Sequence, residues 1–385
     1  MASSPPRRYF DWAATAPPYV GIARPDAVVP FGNPSSLHAE GRAARECLEQ
    51  ARSRCALALG LKPETIYFTS GGTESNAMLI LSFLLRPGAG AYLYSATEHP
   101  SVRENCRLLE NQGKTVGVIP VEADGRVSAA GLGRSLEKYR ESRFAAIMAV
   151  NNETGALNDL GALSGPLREK EGPPLYVHCD LVQAAGKVPV DISGWDLDSA
   201  SLSAHKLGGP RGIGLLYLRK PLETLYRGGG QERGIRAGTE HVAGALALAA
   251  CLEARTRPGT LEAARTAARA RMNQLMGALE ATGRFFPIPA DRKDADDGRF
   301  SPYILQAAFD GVPGEVMVRA LDQAGFAVST GSACSSGKSG RPVLEAMGLD
   351  PKRQLEGIRI SQGWSTGSED IEALIQAIGK VLKYL

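Results

Sequence analysis

The sequence predicts an α/β protein: a mainly parallel sheet covered by helices, followed by a smaller α+β unit. Three observations carry this. From about residue 40 to 220, helical and strand-like patterns alternate along the chain. Several of the strand-like runs, such as "FAAIMAV" and "PLYVHCD", lack the apolar/polar alternation of a half-exposed strand. Burial on both faces, as in a parallel sheet between helix layers, accounts for that. The alternation then breaks at "RTRPGT", on Pro258 and Gly259.

Taken in order, "GRAARECLEQARSRCALALG" reads as a helix ended by Gly60. "TIYFTS" is a short strand and "TESNAMLILSFLL" an apolar helix. "AYLYSA" is a strand, and "HPSVRENCRLLENQG" a helix closed by Gly113. "TVGVIPV", "FAAIMAV", "PLYVHCD", "SASLSA" and "IGLLYLR" read as further strands. The last two are joined by a short Gly-rich loop, which suits an antiparallel pair. Beyond the break come an Arg/Ala-rich helix, the polar loop "ADRKDADDGRFS", a strand "YILQAAF", a helix, the loop "STGSACSSGKSG", a strand "GIRIS" and a final helix.

The 385 residues suggest two domains, or three. A net charge of +3 without a basic stripe argues against nucleic acid. In "LEAARTAARARMNQLMGALE", Leu261, Ala264, Ala268, Met272, Leu275 and Leu279 share one face, so its arginines read as a solvated face. No apolar h-region follows the start, and the longest apolar run, "AMLILSFLL", is well short of the roughly 20 residues of a membrane span. A cytoplasmic protein is expected. Of six cysteines, none forms a C-x-x-C pair, so no metal site and no disulfide framework is expected. Five lie in helical or strand-like stretches and read as packing residues. Cys334 alone sits among small and polar residues in an open loop.

Ligands of open α/β sheets bind at the carboxyl ends of the strands, so the residues following each strand are the candidates. After "TIYFTS" comes "GGTESN", a glycine turn before a helix. Gly72 and Thr73 there suit either an ordinary capped turn or a phosphate site at a helix N-terminus. After "AYLYSA" comes His99, and after "FAAIMAV" the amides Asn151 and Asn152. Asp180 closes "PLYVHCD" and is followed by Gln183. A carboxylate there is either a helix cap or the partner of a cation. After "SASLSA", His205 and Lys206 precede a glycine-rich loop. A lysine desolvated in such a crevice becomes a nucleophilic amine. An anion site, a strand-end Asp and a loop Lys, in that order, fit pyridoxal phosphate (PLP), which needs a Schiff-base lysine, an acidic partner for its ring nitrogen and a phosphate cradle. No G-x-G-x-x-G competes.

At this point the residues resemble a family. "YFDWAATAP", "FGNPSSLH", "FTSGGTESN", "TEHPSV", "NNETG", "DLVQAAGK", "SLSAHKLGGPRGIG", "GGGQERGIRAGTEH", "STGSACSS" and "GIRIS" are similar to the cysteine desulfurases of the NifS/IscS type, within the class V aminotransferases of PLP fold type I. The resemblance covers nearly the whole chain. It implies a seven-stranded, mainly parallel sheet in a large domain at 11–258, with a small domain from 1–10 and 259–385 carrying the cysteine loop.

The resemblance also implies roles. Lys206 would bind the cofactor covalently, Asp180 would pair with its ring nitrogen, and Gln183 would contact its phenolic oxygen. His99 would lie over the ring and assist proton transfer, with Asn152 beside it. Gly72, Thr73, Ser203 and His205 would bind the phosphate, and Thr239 would reach the phosphate in a neighbouring subunit, making a homodimer. Asn33 and Arg359 would hold the substrate carboxylate. Cys334 would take sulfur from L-cysteine as a persulfide, release L-alanine, and pass the sulfur to an acceptor for iron–sulfur cluster or thio-cofactor biosynthesis. Lys338 or Arg341 would favour its thiolate or be simply solvated.

Departures from the family pattern are "RAGT" for the usual "RSGT", Tyr303 where Asn is common, and Trp364 where a basic residue is common. The chain also stops soon after "KVLKYL", where members that serve an iron–sulfur scaffold often carry a longer tail. The alternatives are a selenocysteine lyase or another class V aminotransferase, though the latter has no need of Cys334, and a non-catalytic binding protein, against which the intact Lys206, Asp180, His99 and Cys334 argue.

Overall fold

The computed structural model describes residues 7–22, 29–86, 88–331 and 340–385. Its strands are β1 (Arg8–Tyr9), β2 (Ile66–Thr69), β3 (Ala91–Ser95), β4 (Thr115–Ile119), β5 (Ser142–Ala146), β6 (Tyr176–Asp180), β7 (Ser199–Ser203), β8 (Gly214–Leu218), β9 (Phe285–Ile288), β10 (Ile304–Phe309), β11 (Phe326–Ala327) and β12 (Gly357–Ser361). Seven of them form one sheet in the order β2-β8-β7-β6-β5-β3-β4. Only β8 runs against the others. The α/β class, the mainly parallel sheet and the antiparallel "SASLSA"/"IGLLYLR" pair are therefore as expected.

Side-chain parity explains why these strands carry no alternating pattern. Ile66, Phe68, Ala91, Leu93, Leu215 and Tyr217 enter one apolar core, while Tyr67, Tyr92, Tyr94, Leu216 and Leu218 enter the core on the opposite face. Both faces are dry, so both parities are apolar. β4 departs from this. As an edge strand it leaves Thr115 and Val118 exposed. The Ala39–Ala58 helix packs Leu48, Ala51 and Cys55 into the same core as Ala245, Leu248 and Leu252 of the Val242–Thr256 helix.

A second core gathers around the antiparallel sheet β12-β10-β9. Ala268, Met272, Leu275 and Leu279 of the Pro258–Glu280 helix are buried, whereas Leu261 and Ala264 of the expected face are only half-buried. Phe10 is fully buried here, and β1 pairs in parallel with β11. Residues 8–10 thus join the second core before the chain crosses to the first. β9, "FFPI", and the Ala129–Lys138 and Leu160–Arg168 helices were not among the expected elements.

Among the described residues no helix is long and apolar enough to cross a membrane, and no His/Cys/Asp/Glu group is arranged to hold a metal ion.

Candidate active site

The parallel strands deliver chemistry at their carboxyl ends. β2 leads into the Gly72–Ser82 helix, β3 into Glu98 and His99, β5 toward Asn151 and Asn152, β6 ends on Asp180, and β7 ends on Ser203 just before His205 and Lys206. These ends surround a cavity of about 1060 Å³. Arg359, on β12, closes it from the second sheet.

Gly72, Thr73, His99, Asn152, Asp180, Gln183, Ser203, His205, Lys206 and Arg359 all line this one cavity. Asn33 and Thr239 do not; both are exposed, and the Asn33 side-chain oxygen accepts the Ser35 N–H at 2.9 Å. Cys334 and Lys338 lie outside the described residues, but the chain leading to Cys334 is placed. Ser329 exchanges backbone hydrogen bonds with Arg359, and Gly331 and Gly340 both line the cavity.

Gly72 packs against Val182, just past the end of β6. A Cβ there would approach Val182 Cγ2 to 2.6 Å, so a larger residue would have to displace Val182 for the helix to start this close to the cavity wall. Asp180 is 4% exposed. Its Oδ1 accepts the Val182 N–H at 2.9 Å and its Oδ2 accepts from Asn76 Nδ2 at 2.9 Å. Asn76 also donates to Ser101 Oγ at 2.8 Å, and that hydroxyl lies 2.8 Å from His99 Nδ1. One polar chain thus ties the strand-end carboxylate to the imidazole. Burial, ahead of the Lys206 and Arg103 charges and against Asp180, lowers the His99 pKa, so the ring is neutral at pH 7. His205 is pushed down to about 4, first by burial and then by Lys206 and Arg211. Its Nδ1 lies 3.1 Å from Thr15 Oγ1.

Lys206 Nζ donates to the carbonyls of Ala13 at 2.5 Å and Ala14 at 2.7 Å. Gln183 Nε2 donates to the same Ala13 carbonyl at 2.8 Å. Arg359, 2% exposed, spans the two cores, donating to the Asn152 carbonyl at 2.8 Å and to Asp11 Oδ1 at 2.7 Å. Arg341 is not a solvated cation. It is largely buried and donates to the carbonyls of Thr330, Gln354 and Gly357.

Glu98 was not anticipated. It is 1% exposed, its Oε1 accepts the Met148 N–H at 2.5 Å, and burial followed by Asp180 raises its pKa well above the usual carboxylate range. Asn76 and Lys187 were missed as well. The available signal was a polar residue on the buried side of an apolar helix, and a lysine in an otherwise apolar turn. Burial pushes the Cys55 and Cys251 thiols up to about 12 and raises those of Cys106 and Cys179. This agrees with their expected packing role.

The donor set fits PLP. The cavity offers an amine, a buried carboxylate, a neutral imidazole, and a helix N-terminus flanked by Thr73, Ser203 and His205. Residues 8–374 match the family model described as "Aminotransferase class-V". A cysteine desulfurase IscS from Dictyoglomus turgidum is 35% identical over 392 residues, covering 98% of this chain and 95% of that protein. Among solved structures, one described as a NifS-like protein superposes with a TM-score of 0.89 at 30% identity, over 98% of this chain and 100% of the other. Another, described as SspA in complex with cysteine, reaches 0.77 at 28% identity, over 92% and 99%. The fold and these matches place the chain in the class V aminotransferase family, whose members are PLP-dependent enzymes. Within that family it belongs with the cysteine desulfurases of the NifS/IscS type.

Proposed function

We propose that this enzyme removes the sulfur of L-cysteine, releases L-alanine, and holds the sulfur as a persulfide on Cys334 before passing it to an acceptor. The observation that carries this reading is the convergence of Lys206, Asp180, His99 and Arg359 on one cavity, at which both described stems of the Cys334 segment also end. Bound here, PLP supplies an electron sink for the bond-breaking at the substrate's α-carbon.

The chain's own groups take the remaining tasks. Lys206 anchors the cofactor through Nζ and is one of two bases for the α-proton; neutral His99 is the other. Asp180, held by Asn76 and the Val182 N–H, keeps the ring nitrogen protonated. Gln183 meets the phenolic oxygen. The N-terminus of the Gly72–Ser82 helix, with Thr73, Ser203 and His205, holds the phosphate. Arg359 presents its fork to the substrate carboxylate. The Cys334 thiolate attacks the substrate sulfur: the S–S bond forms as the Cβ–S bond breaks, and the electron pair and a proton end on Cβ, giving alanine.

Thr239 lies outside its own chain's cavity, which supports a homodimer in which a second copy brings Thr239 to the phosphate. A large domain at 11–258, a small domain from 1–10 and 259–385, and a cytoplasmic location complete the reading.

The test is product analysis with L-cysteine and a reductant, wild type beside Cys334→Ala. Equal amounts of alanine and sulfide from wild type, and neither from the variant, are expected. A variant that still makes both would hand the function to a lyase without a cysteine nucleophile, such as a selenocysteine lyase.

A further inference from the structure

Lys187 is the one lysine of "DLVQAAGK", and none of the roles above uses it. It is 3% exposed. Its neighbours in sequence Leu181, Ala184, Ala185 and Val188 belong to the large core. Among the described residues its ammonium has a single hydrogen-bond partner, Gln183 Oε1, at 2.8 Å. Sealing a cation from water without a carboxylate is costly. An apolar side chain of similar length would fill the same core space, so the single contact to Gln183 is the feature that singles out lysine.

That contact decides which way Gln183 faces. An ammonium only donates, so it takes the amide oxygen; the Ala13 carbonyl only accepts, so it takes the amide nitrogen. The two partners lock the amide against the flip that symmetric surroundings would permit. With Oε1 drawn back to Lys187, what Gln183 can offer the cavity is its remaining N–H. The Ala13 carbonyl then links on to Lys206 Nζ at 2.5 Å. One hydrogen-bonded line therefore runs Lys187–Gln183–Ala13–Lys206.

We propose that Lys187 is a positioning residue that fixes Gln183 as a hydrogen-bond donor toward the cofactor's phenolic oxygen. The proposal rests on the cofactor reading above. Lys206 and Arg359 are the other charges that bear on Lys187, while Asp180 and His99 face Lys206 across the cavity.

The experiment is a pH titration of the long-wavelength absorbance of the PLP-loaded enzyme, for wild type, Lys187→Met, Gln183→Leu and the double variant. A donor on the phenolic oxygen draws electron density from the adjacent nitrogen and lowers its basicity. Losing or misorienting that donor raises the midpoint, so K187M is expected to titrate about 0.5–1 pH unit higher than wild type. In the Q183L background K187M is expected to add little, because its effect passes through Gln183. An unchanged midpoint in K187M, or an undiminished shift in the double variant, overturns the proposal. If K187M does not fold, Lys187→Arg is read instead: it keeps a donor and must stay at the wild-type midpoint, and a shift as large as that of Q183L overturns the proposal. A wild type that acquires no borohydride-fixable absorbance with PLP removes the cofactor reading itself, and this inference with it.

Discussion

Arg52 and Lys187 are both cations sealed from water, and the protein accommodates them in opposite ways. Arg52 is met by a full set of partners. Its guanidinium pairs in a fork with both oxygens of Glu232 at 2.7 and 2.9 Å, reaches Glu49, and donates to the Ile66 carbonyl at 2.8 Å. Despite burial, Glu232 and Glu49 raise its pKa. Among the described residues Lys187 has one neutral amide, and burial, with Lys206 and Arg359 adding to it, lowers its pKa to about 7. The first arrangement stitches structure: Glu232 also accepts the Phe68 N–H at 2.8 Å, tying the "GGGQERGIRAGTEH" loop to β2. The second lies beside the cavity, where a neighbouring carboxylate would compete for Lys206. Arg292 is a third case. It is fully buried, with the carbonyls of Thr154, Ser301 and Ile304 as its acceptors among the described residues, and burial lowers its pKa to about 10.

The sharpest way to break this contrast is Glu232→Ala. It removes the buried partner of Arg52, leaving the half-exposed Glu49 as its carboxylate, and leaves the Phe68 N–H without its acceptor. Removing one partner of a buried ion pair costs about 3–5 kcal/mol, so a clear fall in the denaturant midpoint is expected, with the slope unchanged. A loss below about 1 kcal/mol would mean that water reaches Arg52 and that the pair behaves like a surface one.

Arg292→Met tests the intermediate case and should cost less. The three carbonyls lose their donor, at about 1–3 kcal/mol, but no countercharge is stranded, and a buried cation is removed. Arg292 joins the "NNETG" loop to the second sheet, where the same residues crowd Gly155: its φ is +77° and a Cβ there would stand 2.9 Å from the Ile304 carbonyl oxygen. Chemical denaturation of R292M beside E232A gives the order directly; R292M as damaging as E232A would show that carbonyls alone serve a buried guanidinium as well as a carboxylate does.

These cases also mark what could be read from the sequence. His99, Asp180, Lys206 and the Gly72–Thr73 turn were legible because each follows its own strand directly, and a parallel sheet brings all such ends to one edge. Ala13 was not legible. It lies 170 residues from Gln183 and 193 from Lys206, and its part is played by a carbonyl that every residue possesses. Arg292 was hidden in "ADRKDADDGRFS", which reads as a polar loop although this one side chain is buried. β9 was hidden by its brevity and its proline, which an edge strand tolerates. Asn33 and Thr239 were assigned through the family resemblance: Thr239 was expected to serve a neighbouring subunit, whereas Asn33 was expected at the substrate carboxylate and does not line its own chain's cavity.

The remaining effect is one of pH, and it separates Lys187 from Arg52 most cleanly. The folded-state pKa of Lys187, about 7, lies below the unfolded lysine value of about 10.4. Between these values the unfolded chain binds a proton that the folded chain does not, so this group makes stability rise with pH across that window. Below pH 7 both states hold the proton and the penalty of burying the charge is fully present; above the window it is absent. Lys187→Met removes the dependence. With both proteins compared in the same form, K187M should gain most over wild type at pH 6, and the difference should shrink steadily toward pH 10. Arg52, whose pKa is raised, contributes no such slope in this range. A stability difference that stays flat from pH 6 to 10 would mean that Lys187 keeps its proton throughout. It would then have to be stabilised in the folded state by more than the Gln183 amide.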